Sequence, residues 1–243
     1  TSIVQNHIKN KNYEVDLNLK CRDLGMSFLL SFNELKADYI CILHPLSYLI
    51  KNANFKILKK FFSNYKLIDS VIISSQIFCP YSLGFFPIII ALYEKNKKGI
   101  NYDFIKNYNF KTIDDKIFCL NDFDFISKYI DKYPNKNRVS DKVAMFYTMR
   151  DINALRRSKT FIKKDCANAV YVPKSKYSLY CYVDVFKQNI KTVPYYFGNC
   201  DIMIDYNKFK ILEKEFIKAS KSKILNSKIL NYFENLLGEH YAN

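Results

Sequence analysis

Apolar residues recur along this chain with a helical period in some stretches and as short continuous runs in others, and the switches between them outline the first hundred residues. Leu24, Phe28, Phe32 and Leu35 fall three to four positions apart, which places them on one helix face, and Asp23 stands where a capping side chain belongs. Tyr39 to Leu43 (YICIL) is an apolar run of strand length closed by Pro45, so it is expected as a buried, parallel strand. Asn54 is placed to cap a helix whose Phe55, Leu58 and Phe62 share a face. Leu67 to Ile73 and Phe86 to Tyr93 read as two further strands. The segment between them, Ser74 to Gly84, is too short for a crossover helix, so these two strands are predicted to run antiparallel.

After Glu94 the polar run EKNKKG leaves the sheet, which puts a domain boundary near residues 95 to 105. Beyond it, Val143 to Arg157 is patterned as a helix, and Ala169 to Pro173 (AVYVP) and Leu179 to Phe186 (LYCYVDVF) read as β runs. Amphipathic helices around Phe209 to Ile217 and Ile224 to Leu237 close the chain. There is no internal repeat.

Composition adds a partner to this outline. The 243 residues are 49% hydrophobic, enough to bury a core. Lys and Arg number 38 against 23 Asp and Glu, a net charge of +15, which favours a polyanion, nucleic acid ahead of a membrane surface. Four of the five arginines, Arg138, Arg150, Arg156 and Arg157, fall in one window, and the planar guanidinium fork suits guanine edges and phosphates. Arg150, Asn153, Arg156, Arg157 and Lys159 are therefore the candidate DNA-binding residues. No apolar run approaches the roughly 20 residues that span a bilayer, and the N-terminus has no signal or transit pattern, so a cytoplasmic location is expected. The seven cysteines lack any C-x-x-C pair and are expected mostly as small core residues. His7, His44 and His240 lack a metal-ligand spacing, and no metal is assigned.

With DLGMSFLLSFNEL (Asp23 to Leu35), ICILHPLSYLI (Ile40 to Ile50), FKILKKFF (Phe55 to Phe62) and SQIFCPYSLGFFPIIIALYEK (Ser75 to Lys95) in order, the chain resembles the later half of the catalytic domain of adenine-specific (N6) DNA methyltransferases of restriction-modification systems, in the gamma-like motif order. The resemblance covers about residues 20 to 98, and the remainder only by position. It implies an α/β fold: the later half of a Rossmann-like methyltransferase sheet with an antiparallel terminal strand (residues 1–98), followed by a mixed α+β target-recognition domain (residues 99–243).

The family's Gly-rich cofactor turn and its N-P-P-[YFW] motif are absent from this sequence; the nearest string, CPYS at Cys79 to Ser82, has one proline and no asparagine. The resemblance thus implies no catalytic residue in this chain, with that motif and most of the S-adenosylmethionine site upstream of Thr1. It also implies double-stranded DNA as substrate, with a restriction endonuclease or the missing N-terminal half as further partner. A methyl group cannot reach an adenine amino nitrogen inside a stacked duplex, so such enzymes flip the base into a pocket. Phe78 matches the family's stacking aromatic, with Tyr81 as second choice, and Pro45 matches a position shaping the loop beside the site. Two other readings remain open at the level of sequence. One is a non-catalytic sequence-specific DNA-recognition module. The other is part of a fused restriction-modification enzyme, for which only the short strings DDK (Asp114 to Lys116) and EKE (Glu213 to Glu215) speak.

Overall fold

The computed structural model describes residues 16–19, 21, 23–81 and 85–242, and is a mixed α/β structure with small antiparallel sheets. The chain divides into two compact units: Thr1–Ile73 with Ile88–Leu120, and Ser74–Pro87 with Asn121–Asn243. The polar N-terminal stretch, His7 and residues 82–84 lie outside the described residues.

In the first unit, helix α1 (Leu24–Leu35) starts at Asp23, whose side chain accepts hydrogen bonds from the N–H groups of Gly25 and Met26, as the sequence predicts. Strand β1 (Tyr39–Pro45) follows, then three short helices, α2 (Ser47–Ile50), α3 (Asn52–Ile57) and α4 (Lys59–Phe62), before β2 (Tyr65–Ser74) and β3 (Pro87–Lys95). Asn54 sits inside α3 rather than at its start, and its amide donates to the Ser47 carbonyl at 2.9 Å, tying α3 back to α2. Phe55, Leu58 and Phe62 are all buried. Phe55 stacks on Phe62 at 4.5 Å and Phe61 on Tyr65 at 4.9 Å, which seals these helices to the sheet.

The strand order is β1-β3-β2. Backbone bonds at both ends of the β2–β3 pair, Ser75 N–H to Phe86 O (3.0 Å) and Asn96 N–H to Asn64 O (2.7 Å), make it antiparallel, as the short connection requires. The expectation for β1 needs correcting. It pairs antiparallel with β3, from Tyr39 opposite Glu94 to Pro45 opposite Ile88, and β3 lies in the middle of the sheet instead of at its end. Strand β1 is half-buried, with Ile40 and His44 turned inward and Tyr39, Cys41 and Leu43 exposed. The run is unbroken because the outward positions of β1 carry Tyr39, Cys41 and Leu43, so the apolar–polar alternation that marks a half-buried antiparallel strand is missing from the sequence. A helix α5 (Tyr102–Lys106) and the short pair β4 (Phe110–Lys111) and β5 (Ile117–Phe118) complete this unit.

The second unit departs further from the sequence reading. Val143 to Arg157 is not one helix: it forms strand β6 (Lys142–Tyr147) and a separate helix α6 (Ile152–Arg157), capped by the Asp151 side chain on Ala154 N–H at 2.7 Å. Strand β7 (Ala169–Pro173) pairs antiparallel with β6. Leu179 to Phe186 is not a strand but the middle of helix α7 (Tyr177–Gln188), where Ser178 through Phe186 are all buried. A helix buried on every side reads as a continuous apolar run, so periodicity carries no signal there. The closing helices α8 (Tyr206–Ser222) and α9 (Ser227–Leu237) appear where expected. Tyr182 of α7 packs against Phe209 and Phe216 of α8 and Tyr232 and Phe233 of α9, with ring centroids 5.1 to 6.0 Å apart. Only Cys181 and Cys200 of the cysteines are buried, so the expectation of a mostly internal cysteine set is corrected. No helix among the described residues is long and apolar enough to cross a membrane.

Candidate functional site

Exposed aromatic rings on a tightly anchored loop are the most distinctive surface of the chain. The β2–β3 connection begins with a 3₁₀ turn, Ser75–Ile77, capped by the Ser74 hydroxyl accepting from Gln76 N–H. Ser75 is buried and holds both ends of the loop. Its N–H donates to Phe86 O and its hydroxyl accepts the Phe86 N–H at 2.9 Å. Its carbonyl accepts the N–H groups of Phe78 and Cys79 at 3.1 and 3.0 Å. The backbone of Phe78 is thereby fixed while its ring remains 55% exposed, and Tyr81 is 98% exposed, with Ile77 and Phe86 also open to solvent. An aromatic ring in water forgoes burial worth about 1.5–3 kcal/mol, so two on one anchored loop mark a surface built for contact. Replacing Ser75 with alanine leaves Phe86 N–H without its acceptor. Hydrogen exchange of that amide is expected to quicken about 5- to 30-fold, from the roughly 1–2 kcal/mol of one such bond; unchanged exchange would show that the loop is held by something else.

A second cluster lies at the end of β1, inside the first unit. His44 is buried between two tyrosine rings, Tyr48 at 5.5 Å and Tyr93 at 6.1 Å between centroids. Its Nδ1 is 3.0 Å from the Pro45 carbonyl and its Nε2 is 2.8 Å from the Tyr93 hydroxyl. A carbonyl can only accept, so Nδ1 carries the proton and Nε2 accepts from Tyr93. Burial pulls the imidazole pKa down to about 4 and pushes both tyrosine phenols well up. The Tyr48 hydroxyl donates to Asp23, the cap of α1. Gly25 is required here by close approach, because a Cβ at that position would collide with the Tyr48 hydroxyl. The cluster fixes how β1 leaves the sheet at Pro45. Sequence gave no sign of it, since Tyr93 is 49 positions from His44.

In the second unit the candidate DNA-binding residues divide into two groups. Arg150, Arg157 and Lys159 are exposed. Arg156 is half-buried: its guanidinium donates to the Val193 carbonyl at 2.6 Å, its Nε has no partner, and burial lowers its pKa. Asn153 packs against Gly198, where a Cβ would collide with the Asn153 amide, and Asn153 N–H donates to Gly198 O at 2.9 Å. Both are thus turned into the fold along α6.

Comparisons with protein-family models, with curated proteins and with solved structures yield no match. The chemistry must therefore be read from the residues alone. Among the described residues, no group of three or more His, Cys, Asp or Glu could hold a metal ion. Nor does a Gly-rich strand-turn-helix occur among them. Gly25 opens α1, Gly99 follows β3, Gly198 lies against α6 and Gly238 follows α9. These residues do not fit an S-adenosylmethionine site, and no cofactor contact is assigned to them.

Proposed function

We propose that this chain holds the flipped base and reads DNA for a site-specific adenine-N6 DNA methyltransferase of a restriction-modification system, with S-adenosylmethionine and the catalytic amide carried by polypeptide outside these 243 residues. The observation that carries this reading is the pair Phe78 and Tyr81, exposed on a loop whose backbone Ser75 anchors. An extruded adenine needs an aromatic face already in place, because the cost of unstacking a base is a few kcal/mol. Stacking on such a ring returns about 1–3 kcal/mol per base. The antiparallel β2–β3 hairpin that presents the loop is the arrangement the resemblance implies. In the Rossmann-like reading, β1 and β2 belong to a larger sheet, and residues 99–243 are the target-recognition domain.

DNA contact falls to Arg150, Arg157 and Lys159, which are exposed toward solvent where phosphates and base edges can approach. Asn153 and Arg156 instead hold α6 in place. The excess of cations supports a polyanionic substrate. The test is to express the complete gene in a host without adenine methylation and to map N6-methyladenine in its DNA. Methylation is expected at one short sequence, and Phe78→Ala is expected to lower it about 5- to 150-fold, the range that 1–3 kcal/mol of lost stacking predicts. DNA free of methylated adenine, with the protein present and folded, would overturn the reading in favour of a non-catalytic recognition module.

A further inference from the structure

The positive charge of the chain is concentrated in one place. Residues 132–176 hold 12 Lys and Arg against 3 Asp and Glu, a balance of +9, which is the whole cationic surplus of residues 101–243. Within this stretch one loop is rigidly built. Asn135 is 2% exposed, and its side-chain amide acts as a missing strand for β7: Oδ1 accepts the Tyr171 N–H at 2.7 Å and Nδ2 donates to the Tyr171 carbonyl at 3.0 Å. Nδ2 also reaches Asp131 at 3.0 Å, and a turn closes from Arg138 N–H to Asn135 O at 2.9 Å. Fixed in this way, the loop borders an open cleft of about 520 Å³ lined by Pro134, Asn135, Lys136, Asn137, Arg138 and Ala167.

The cations around this cleft are pre-positioned. The Lys142 ammonium sits 3.8 Å from the centroid of the Tyr171 ring, and no carboxylate among the described residues pairs with it. Lys136 lies 5.7 Å from the same ring and pairs with Asp165 at 2.6 Å, while Arg138 reaches Asp131 at 3.1 Å. Both pairs are partly open to solvent, which screens them and leaves their cations accessible to another anion. Lys163 and Lys164 add exposed charge on the neighbouring segment.

We infer that the Pro134–Arg138 loop, with Lys142 on the Tyr171 ring, is a phosphate-anchoring element that grips the DNA backbone without reading sequence. The inference rests on the DNA-recognition reading above and adds a site apart from the α6 residues. Lysine offers a point charge and arginine a planar fork, both suited to phosphate oxygens, and the cleft that Lys136 and Arg138 border is open, so a phosphate is the fitting occupant.

The test measures binding of the whole chain to a random-sequence duplex by fluorescence anisotropy as KCl is varied. The triple variant Lys136→Ala, Arg138→Ala, Lys142→Ala is expected to lower the slope of log K against log salt by about 2–3, since each phosphate contact contributes about 0.9. A control of equal charge, Lys210→Ala, Lys214→Ala, Lys218→Ala on the exposed side of α8, is expected to leave the slope within about 1 of the wild type. Equal slopes for wild type and the loop variant, or an equal drop in the control, would overturn the anchoring element while leaving DNA recognition intact. Absence of salt-dependent DNA binding by the wild-type chain would overturn both. Circular dichroism of each variant confirms that the fold is retained.

Discussion

Replacing Asp184 with alanine is expected to destabilise the second unit by about 2–4 kcal/mol, roughly 1–2 kcal/mol for each of two hydroxyls left without a charged acceptor. Asp184 lies on α7 with its side chain 4% exposed. It accepts from Thr160 Oγ1 at 2.6 Å, Ser220 Oγ at 2.7 Å and Lys223 Nζ at 2.5 Å. These partners come from the connection after α6 and from the end of α8, so one carboxylate ties three segments of the unit together. In the alanine variant Lys223 swings into water at little cost, because it is already more than half exposed. The two hydroxyls have no such escape and lose their acceptor. Asp184→Asn keeps the shape and one acceptor oxygen, and its amide N–H can donate to a hydroxyl that turns round, so it should cost less. Urea denaturation of both variants checks this; a loss under about 1 kcal/mol for Asp184→Ala would mean that the aromatic packing around Tyr182 holds α7 without it.

The second large effect is a pH dependence centred on His44. In the folded chain this imidazole takes up a proton only near pH 4, and in the unfolded chain near 6.5. Between those values the unfolded state binds more protons, so stability rises with pH across that window. The contribution is fully present above about pH 6.5 and is lost as the pH falls through 4. At 1.36 kcal/mol per pH unit the total is about 3 kcal/mol. His44→Gln is expected to remove this part of the pH dependence while the carboxylate-driven part remains. Urea midpoints at pH 4.5 and 7 for both proteins supply the comparison, and an equal drop in the two would show that other groups carry it.

What was legible in the sequence follows a physical divide. Asp23 as a cap and the antiparallel β2–β3 pair depend only on local backbone chemistry and on the length of one connection, and both were read correctly. The helix at Tyr177–Gln188 reads as a strand in the sequence because burial on all sides removes the polar stripe that reveals a helical period. The same continuity hid the place of β1, whose antiparallel neighbour is set by a strand more than forty residues later. Phe78 and Tyr81 are singled out in the sequence by the resemblance alone, and their exposure follows from their place on a loop between paired strands. The roles of Ser75, Asn135 and His44 were not visible. Each depends on a partner distant in sequence, namely Phe86, Tyr171 and Tyr93. In the sequence Arg156 reads as a free charge, because nothing near it announces the Val193 carbonyl.

Reception of an extruded adenine by the anchored loop can be measured on DNA of any sequence. The measurement is the affinity of the chain for two duplexes identical except that one carries a single unpaired adenine, whose flipping is already largely accomplished. Binding to the duplex with the unpaired adenine is expected to be tighter by about 5- to 150-fold, with loss of that preference in Phe78→Ala, Tyr81→Ala. Equal affinity of the wild-type chain for the two duplexes would contradict it.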